Sequence, residues 1–291
     1  MRLCRMLLLV AAAPPLALAQ PAPVRAPADS FTVMIEVPSR GDTLRGFIRV
    51  AQGAGPHLTV LYLSGFAEPA FPAFPATAQQ AGFNGVGFNF RGSRRSSGYY
   101  TVDGTVDDAK AMLAVLDSDS AQRLWRVDPR RIVLVAASAG TLSALRTTAD
   151  DKDIVCTAAM VPFNWAAAGI VARTDTAVRR QFENVMRSVT AGPEPVIRER
   201  GFLIRVLDSA ESYDLVPVGA ALGNRKVLLI GARQDATAPL PAHFTPLVEA
   251  IRKAGGAGLR DTVVDDTHNL TNTGDAVGAA IVRWLRSECA R

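Results

Sequence analysis

The sequence predicts an α/β fold, with a mostly parallel central sheet, helices on both faces and a helical insertion. Three observations predict it: two strand-like runs lead the ordered part, strand-then-helix units follow repeatedly, and the central apolar runs are continuous rather than alternating. In order, Phe31 to Val37 and Leu44 to Val50 read as strands, Leu58 to Leu63 as a buried strand, and Pro72 to Ala81 as a helix. Val86 to Phe90, Ile132 to Ala136, Ile154 to Met160, Val227 to Gly231 and Leu259 to Val264 complete the strands. Helices are expected near Val106 to Leu116, Ala139 to Thr147, Pro246 to Lys253 and Asp275 to Leu285. From about Asn164 to Leu222 no convincing strand appears. There Phe182, Val185, Met186 and Val189 repeat with helical spacing, and Val196 to Leu207 is again helix-like, so this stretch reads as a helical insertion over one end of the sheet.

Composition sets the frame. With 291 residues, 48% hydrophobic and 20% charged, the chain is globular in character, and disorder, collagen and a disulfide mini-scaffold are excluded. Lys plus Arg exceed Asp plus Glu by 32 − 27 = 5. The basic residues come as interleaved pairs, Arg94 with Arg95 and Arg179 with Arg180, not as a stripe, which argues against a nucleic-acid partner.

The first nineteen residues read as a signal peptide of bacterial pattern. Arg2 and Arg5 precede an apolar run from Met6 to Ala13, Pro14 and Pro15 break it, and Ala17-Leu18-Ala19 offers small residues for cleavage before Gln20. The run is far short of the roughly 20 residues of a membrane span, so a periplasmic or secreted mature chain is expected, with no integral membrane segment. Residues 20–30 read as a Pro/Ala-rich tether, and 31–291 as one domain carrying the insertion at about 164–222. Of the cysteines that survive cleavage, Cys156 and Cys289 suit an oxidising compartment, but spacing alone does not pair them. No Cys/His spacing resembles a metal site, and none is expected.

The sharpest local signal is Ile132-Val133-Leu134-Val135-Ala136-Ala137-Ser138-Ala139-Gly140-Thr141, an apolar strand entering a small-x-Ser-x-small turn and then a helical pattern. A turn this sharp exposes the serine oxygen at the sheet edge and demands small neighbours, here Ala136 and Gly140. The Ala139 amide, at a helix start, can donate to a developing oxyanion. Asp235 follows the Val227 strand and His268 follows the last one, so Ser, Asp and His occur in the order this architecture uses. Asp235 can alternatively cap the turn from Thr237 to Leu240. Asp265 and Asp266 lie nearer His268 in sequence, and Asp266 reads as a loop-shaping residue. His57, before a strand, and His243, near a helix start, are not expected to reach the site.

At these motifs the chain resembles the α/β-hydrolase superfamily over about residues 32–287, and is most similar to dienelactone-hydrolase-like and prolyl-oligopeptidase-like (peptidase S9-type) serine hydrolases. Leu61-Tyr62-Leu63-Ser64-Gly65-Phe66 resembles the family's oxyanion strand and loop, and Asn89-Phe90-Arg91-Gly92-Ser93 with Ser97-Gly98 its Arg-Gly turn. Ser64 and Ala136 depart from the family, which has His before the loop glycine and Gly at the first elbow position. The resemblance implies Ser138 as nucleophile, Asp235 as acid and His268 as base, with the Phe66 and Ala139 amides as oxyanion donors. It implies cofactor-free cleavage of a small ester or short peptide, ester ahead of amide. A peptidase, and a binding protein that kept the fold without turnover, are the alternatives. Gly65, Pro162, Phe163, Asn164 and Trp165, with the insertion, are expected to wall the substrate pocket. Arg91 reads as a structural anchor. Glu68 reads as solvated or, if it faces the pocket, as favouring a cationic substrate.

Overall fold

The structure, a computed structural model, describes residues 31–66, 74–154 and 156–290. The expected signal peptide, the tether, Glu68 and the first two residues of the expected Pro72 helix lie outside the described residues.

Eight strands form one sheet. In chain order they are β1 (Phe31–Ser39), β2 (Asp42–Val50), β3 (His57–Leu63), β4 (Asn84–Asn89), β5 (Val127–Ala137), β6 (Cys156–Met160), β7 (Lys226–Ala232) and β8 (Leu259–Val264). Their spatial order is β1-β2-β4-β3-β5-β6-β7-β8. β1 and β2 form an antiparallel hairpin in which Arg40 and Gly41 both take positive φ, the backbone that suits strand twist in a two-residue turn. β2 meets β4 antiparallel, and every later pairing is parallel. β1 alternates buried and exposed residues, as a strand with one wet face must, whereas β3 and β7 are buried almost throughout.

The two faces of the sheet carry separate cores, assigned by the two-residue period of the strands. Leu61, Leu63, Leu134, Ala136 and Leu229 point to one side, with α2 (Val102–Leu116), α4 (Gly140–Asp150) and α10 (Thr245–Lys253). Val60, Tyr62, Val133, Val135 and Ile230 point to the other, against α1 (Phe74–Gln80) and α11 (Gly274–Trp284). Cys156 and Cys289 are disulfide-bonded with Cα atoms 6.0 Å apart, tying the start of β6 to the turn after α11.

The remaining helices are α3 (Asp119–Trp125), α5 (Trp165–Thr174), α6 (Thr176–Thr190), α7 (Phe202–Asp208), α8 (Leu215–Ala220) and the short turn α9 (Leu240–His243). The insertion is helical as expected, with one correction. The helix expected over Val196 to Leu207 begins only at Phe202. Val196 to Arg198 instead run extended beside Gly92 to Arg94, the Arg94 amide donating to Val196 (2.8 Å) and the Arg198 amide to Gly92 (2.6 Å). Gly201 in the left-handed region breaks the chain there, and the Glu199 carboxylate caps the late start by accepting the Phe202 amide at 2.6 Å. α3 was not expected. It is a two-turn helix with Leu124 exposed, capped by Ser118, which accepts the Ala121 amide, and so has too short an apolar face to show a period.

Candidate active site

β5 runs out at Ala137, and α4 starts three residues later. Between them Ser138 holds a φ of +51°, a region that costs a non-glycine residue about 1–3 kcal/mol. Its surroundings hold it there. The Ser138 amide donates to Met160 at 3.0 Å, and its carbonyl accepts from the Thr141 amide (3.0 Å), the Thr141 hydroxyl (2.6 Å) and the Phe163 amide (3.3 Å). Gly140 cannot be larger, because a Cβ there would stand 2.4 Å from the carbonyl oxygens of Leu63 and Ser64. The end of β3 therefore presses on the elbow, which places the loop bearing Phe66 beside Ser138.

Asp235 follows β7 and His268 follows β8. His268 Nε2 lies 2.8 Å from Ser138 Oγ, and its Nδ1 lies 2.7 Å from Asp235 Oδ2. With Nδ1 protonated and donating to the carboxylate, Nε2 accepts the serine proton. The Asp235 side chain is 1% exposed and the His268 side chain 14%, so the pair meets little water. The second carboxylate oxygen, Oδ1, accepts the amides of Thr237 (2.9 Å) and Ala238 (2.7 Å). The two readings of Asp235 from sequence are thus not exclusive: one oxygen caps the turn while the other holds the ring. Such an arrangement can take a proton from the hydroxyl as it attacks and stabilise the imidazolium that forms.

Asp266 shapes the His268 loop. Its carboxylate accepts the amides of Thr267, Asn272 and Thr273, each at 2.8 Å, and the Thr273 hydroxyl at 2.9 Å. Burial pushes this carboxyl up, but the hydrogen bonds from Thr267, Thr273 and Asn272 outweigh it and hold it down at about 2. Arg91 sits away from the site. It donates Nη2 to Asp108 Oδ1 at 2.7 Å and to Ser39 Oγ at 2.8 Å, joining the turn after β4 to α2 and the end of β1.

A cavity of about 470 Å³ opens from Ser138 and His268. Phe66, Phe163 and Trp165 wall it on one side, and the insertion closes it with Val171 of α5, Val178, Phe182, Val185 and Met186 of α6, and Phe202 of α7. The aromatic wall is contiguous: Phe66 stacks on Phe202 at 5.4 Å and meets Trp165 edge-on at 5.7 Å, and Phe163 meets Trp165 edge-on at 4.8 Å. The polar lining besides Ser138 and His268 consists of Gln181, Thr237, His243 and Asn269. No Asp, Glu, Lys or Arg lines the cavity among the described residues. The described residues also contain no cluster of three or more His, Cys, Asp or Glu side chains that could hold a metal ion.

No protein-family model matches the sequence, nor does any curated protein. Solved structures do. The esterase Pf2001 of Pyrococcus furiosus superposes with a TM-score of 0.65 at 17% identity, over 90% of this chain and 92% of its own. The alpha/beta hydrolase GrgF from Penicillium sp. sh18 gives 0.66 at 15% identity, over 89% of this chain and 99% of its own. Est1E from Butyrivibrio proteoclasticus, solved with ferulic acid bound, gives 0.65 at 18% identity, over 88% and 100%. The chain has the α/β-hydrolase fold.

Within this α/β-hydrolase fold, the structure brings Ser138, Asp235, His268, Phe66, Ala139, Phe163 and Trp165 together around one cavity. Gly65 is a correction. It lines a different cavity beside β2 and β4, because the loop after β3 turns Phe66, not Gly65, toward Ser138. Neither Pro162 nor Asn164 lines the Ser138 cavity. The Asn164 side chain is spent on structure, accepting the Ala166 amide at 3.1 Å and donating to Asp214 at 2.8 Å. His57 stays at the far end of β3, its Nε2 3.2 Å from the Gly53 carbonyl oxygen.

His243 is the second correction, because it forms part of the cavity wall. It ends the four-residue α9, which starts after Pro239 on the connection that carries Asp235, and it lies near enough to Asp235 and His268 to feel their charges. The one available sequence signal was its position eight residues after Asp235, on the same connection. Its ring is buried, lies 5.0 Å from that of Phe163, and accepts the Asn164 amide on Nδ1 at 2.9 Å. Burial pushes its pKa down to about 4, against the opposing pull of Asp235.

Proposed function

We propose that this chain is a serine hydrolase that cleaves carboxylic esters through an acyl-enzyme intermediate. One observation carries the reading: the chain of contacts from Ser138 Oγ to His268 Nε2 (2.8 Å) and from His268 Nδ1 to Asp235 (2.7 Å), on a strained elbow at the mouth of an apolar cavity. In this reading His268 takes the Ser138 proton as the oxygen attacks the ester carbonyl, then returns it to the leaving alcohol. A water, activated by the same ring, releases the acid. The amides of Ala139 and Phe66 are the oxyanion donors, and losing one such donor costs about 2.7–4 kcal/mol of barrier. Neither amide donates a hydrogen bond among the described residues, which leaves both free for that task.

The apolar, uncharged lining favours a neutral ester with a hydrocarbon or aromatic group over a charged peptide. The neighbours support the same class, since one is an esterase and another was solved with ferulic acid bound. The amino-end pattern and the Cys156–Cys289 disulfide support an exported protein working in an oxidising compartment.

Fluorophosphonate labelling of the purified chain, read by intact mass, tests the reading. One adduct on the wild-type chain, absent from Ser138→Ala and His268→Ala, and turnover of short-chain p-nitrophenyl esters are the expected results. A folded wild-type chain that neither labels nor turns over any ester sinks it and leaves a binding protein of this fold.

A further inference from the structure

The mechanism above uses one of the two histidines in the cavity wall. The other, His243, carries a chemical asymmetry that its surroundings fix. A backbone N–H can only donate, so the Asn164 amide at 2.9 Å requires Nδ1 of His243 to be the unprotonated nitrogen. The neutral ring therefore carries its proton on Nε2. Nothing among the described residues accepts that N–H, although the ring is buried and forms part of the wall. The pKa of about 4 keeps the ring neutral at working pH, as a donor without charge.

Although the ring is buried, its Nε2 is not among the sealed polar atoms that lack a partner in the described residues, which are Thr147 Oγ1, Arg225 Nε and Trp284 Nε1; an unpaired N–H in an otherwise buried ring is tolerated where it stays open to water or a ligand. Here the opening is the cavity: the Phe163 ring lies 5.0 Å from that of His243, and although Gln181, Thr237 and Asn269 share the lining, none of them accepts a hydrogen bond from His243. We propose that His243 is a specificity-determining residue, donating its Nε2 hydrogen to an oxygen carried by the substrate away from the scissile carbonyl. The preferred ester then has a keto, ether or hydroxyl oxygen within the group that fills the apolar cavity, and an all-hydrocarbon ester fits less well. This rests on the hydrolase reading only in calling the ligand a substrate. The recognition itself does not depend on turnover.

The test is therefore made on binding, in Ser138→Ala, where esters are not consumed. Methyl esters of straight-chain acids, and alkyl acetates, are titrated calorimetrically against analogues carrying one keto oxygen at successive positions. At one position the keto ester is expected to bind about three- to tenfold tighter than its hydrocarbon counterpart, the worth of one net hydrogen bond. Adding His243→Asn puts an amide oxygen where Nδ1 accepts the Asn164 N–H but removes the donor at Nε2. It should abolish or reverse that preference, read within the variant as the ratio of keto-ester to hydrocarbon-ester affinity. His243→Gln, which restores an N–H near the Nε2 position, should retain the preference. Near-ultraviolet circular dichroism identifies any variant that has lost its packing. No gain at any keto position, or a gain that survives His243→Asn, overturns the proposal. Failure of the hydrolase reading would show separately, as absent labelling of the Ser138 protein.

Discussion

The cavity has two walls held by different forces. On the sheet side, three short connections after β5, β7 and β8 are fixed by directed hydrogen bonds: three donors converge on the Ser138 carbonyl, two amides on Asp235, and three amides and a hydroxyl on Asp266. On the cap side, α5, α6 and α7 present apolar side chains, those of α5 and α7 joined by the Trp165–Phe202 and Phe66–Phe202 ring contacts, and Ile170, Val171 and Val185 stay 42–47% exposed. Hydrogen bonds fail steeply with small displacements, whereas apolar packing is non-directional and adapts. The sheet side is thus suited to hold reacting atoms, and the cap to accept a range of shapes.

The largest effect expected is on the sheet side. Ser138→Ala or His268→Ala should lower kcat/KM for p-nitrophenyl butyrate by about 10⁴-fold or more, and Asp235→Asn by about 10⁴-fold, with the far-ultraviolet spectrum unchanged. Phe182→Ala, across the cavity, should cost less than about tenfold. Equal losses on the two sides would erase the distinction between the walls.

That distinction also governs what the sequence reveals. Ser138 and Asp235 each follow a strand whose apolar run is plain, and His268 follows the edge strand β8, whose apolar residues are only Leu259, Val263 and Val264; the types and order of the three were legible. The helical character of the insertion was legible from the spacing of Phe182, Val185, Met186 and Val189. Which face of it meets the sheet was not, because that depends on contacts such as Phe66 on Phe202, separated by more than a hundred residues. His243 was missed for a related reason, since its role depends on an amide 79 residues away, that of Asn164. Gly65 and Phe66 are neighbours whose opposite facing is set by the loop's turn, and no local pattern encodes it. Val196 to Leu207 looked helical by composition, yet its first residues add an extended edge to the Arg91-Gly92 turn and only Gly201 lets the helix begin.

His243 stands where the two walls meet, and its protonation should act on stability. Its ordinary pKa of 6.5 applies in the unfolded chain, and burial lowers it to about 4 in the folded one. Between those values the unfolded state binds more protons, so stability is full above about pH 6.5 and falls as the pH drops toward 4, by roughly 3 kcal/mol for this group. Urea titrations of wild type and His243→Asn across that window should diverge by this amount. Parallel curves would mean that the ring is not held neutral by its surroundings. Asp266→Ala comes next. It leaves three amides and a hydroxyl of the His268 loop without their acceptor, and displacement of the ring should lower kcat/KM by about 10²-fold while an adjacent cap change does not.

The smallest effect sharpens the comparison most. α6 places Val178, Phe182 and Val185 toward the cavity, with Arg179, Arg180 and Asn184 exposed between them. Val185 is 42% exposed, so it stands at the mouth rather than in the depth. Val185→Ala removes apolar surface that only a longer chain can reach. Butyl and octyl acyl groups should therefore respond differently: KM for an octanoyl ester should rise about two- to fourfold, KM for a butanoyl ester should stay within error, and kcat should hold for both, since a wall that binds ground and transition state alike lowers KM without changing kcat. A change confined to kcat would mean that α6 supports the position of Ser138 or His268 directly, and the cap would then belong to the rigid half of the site.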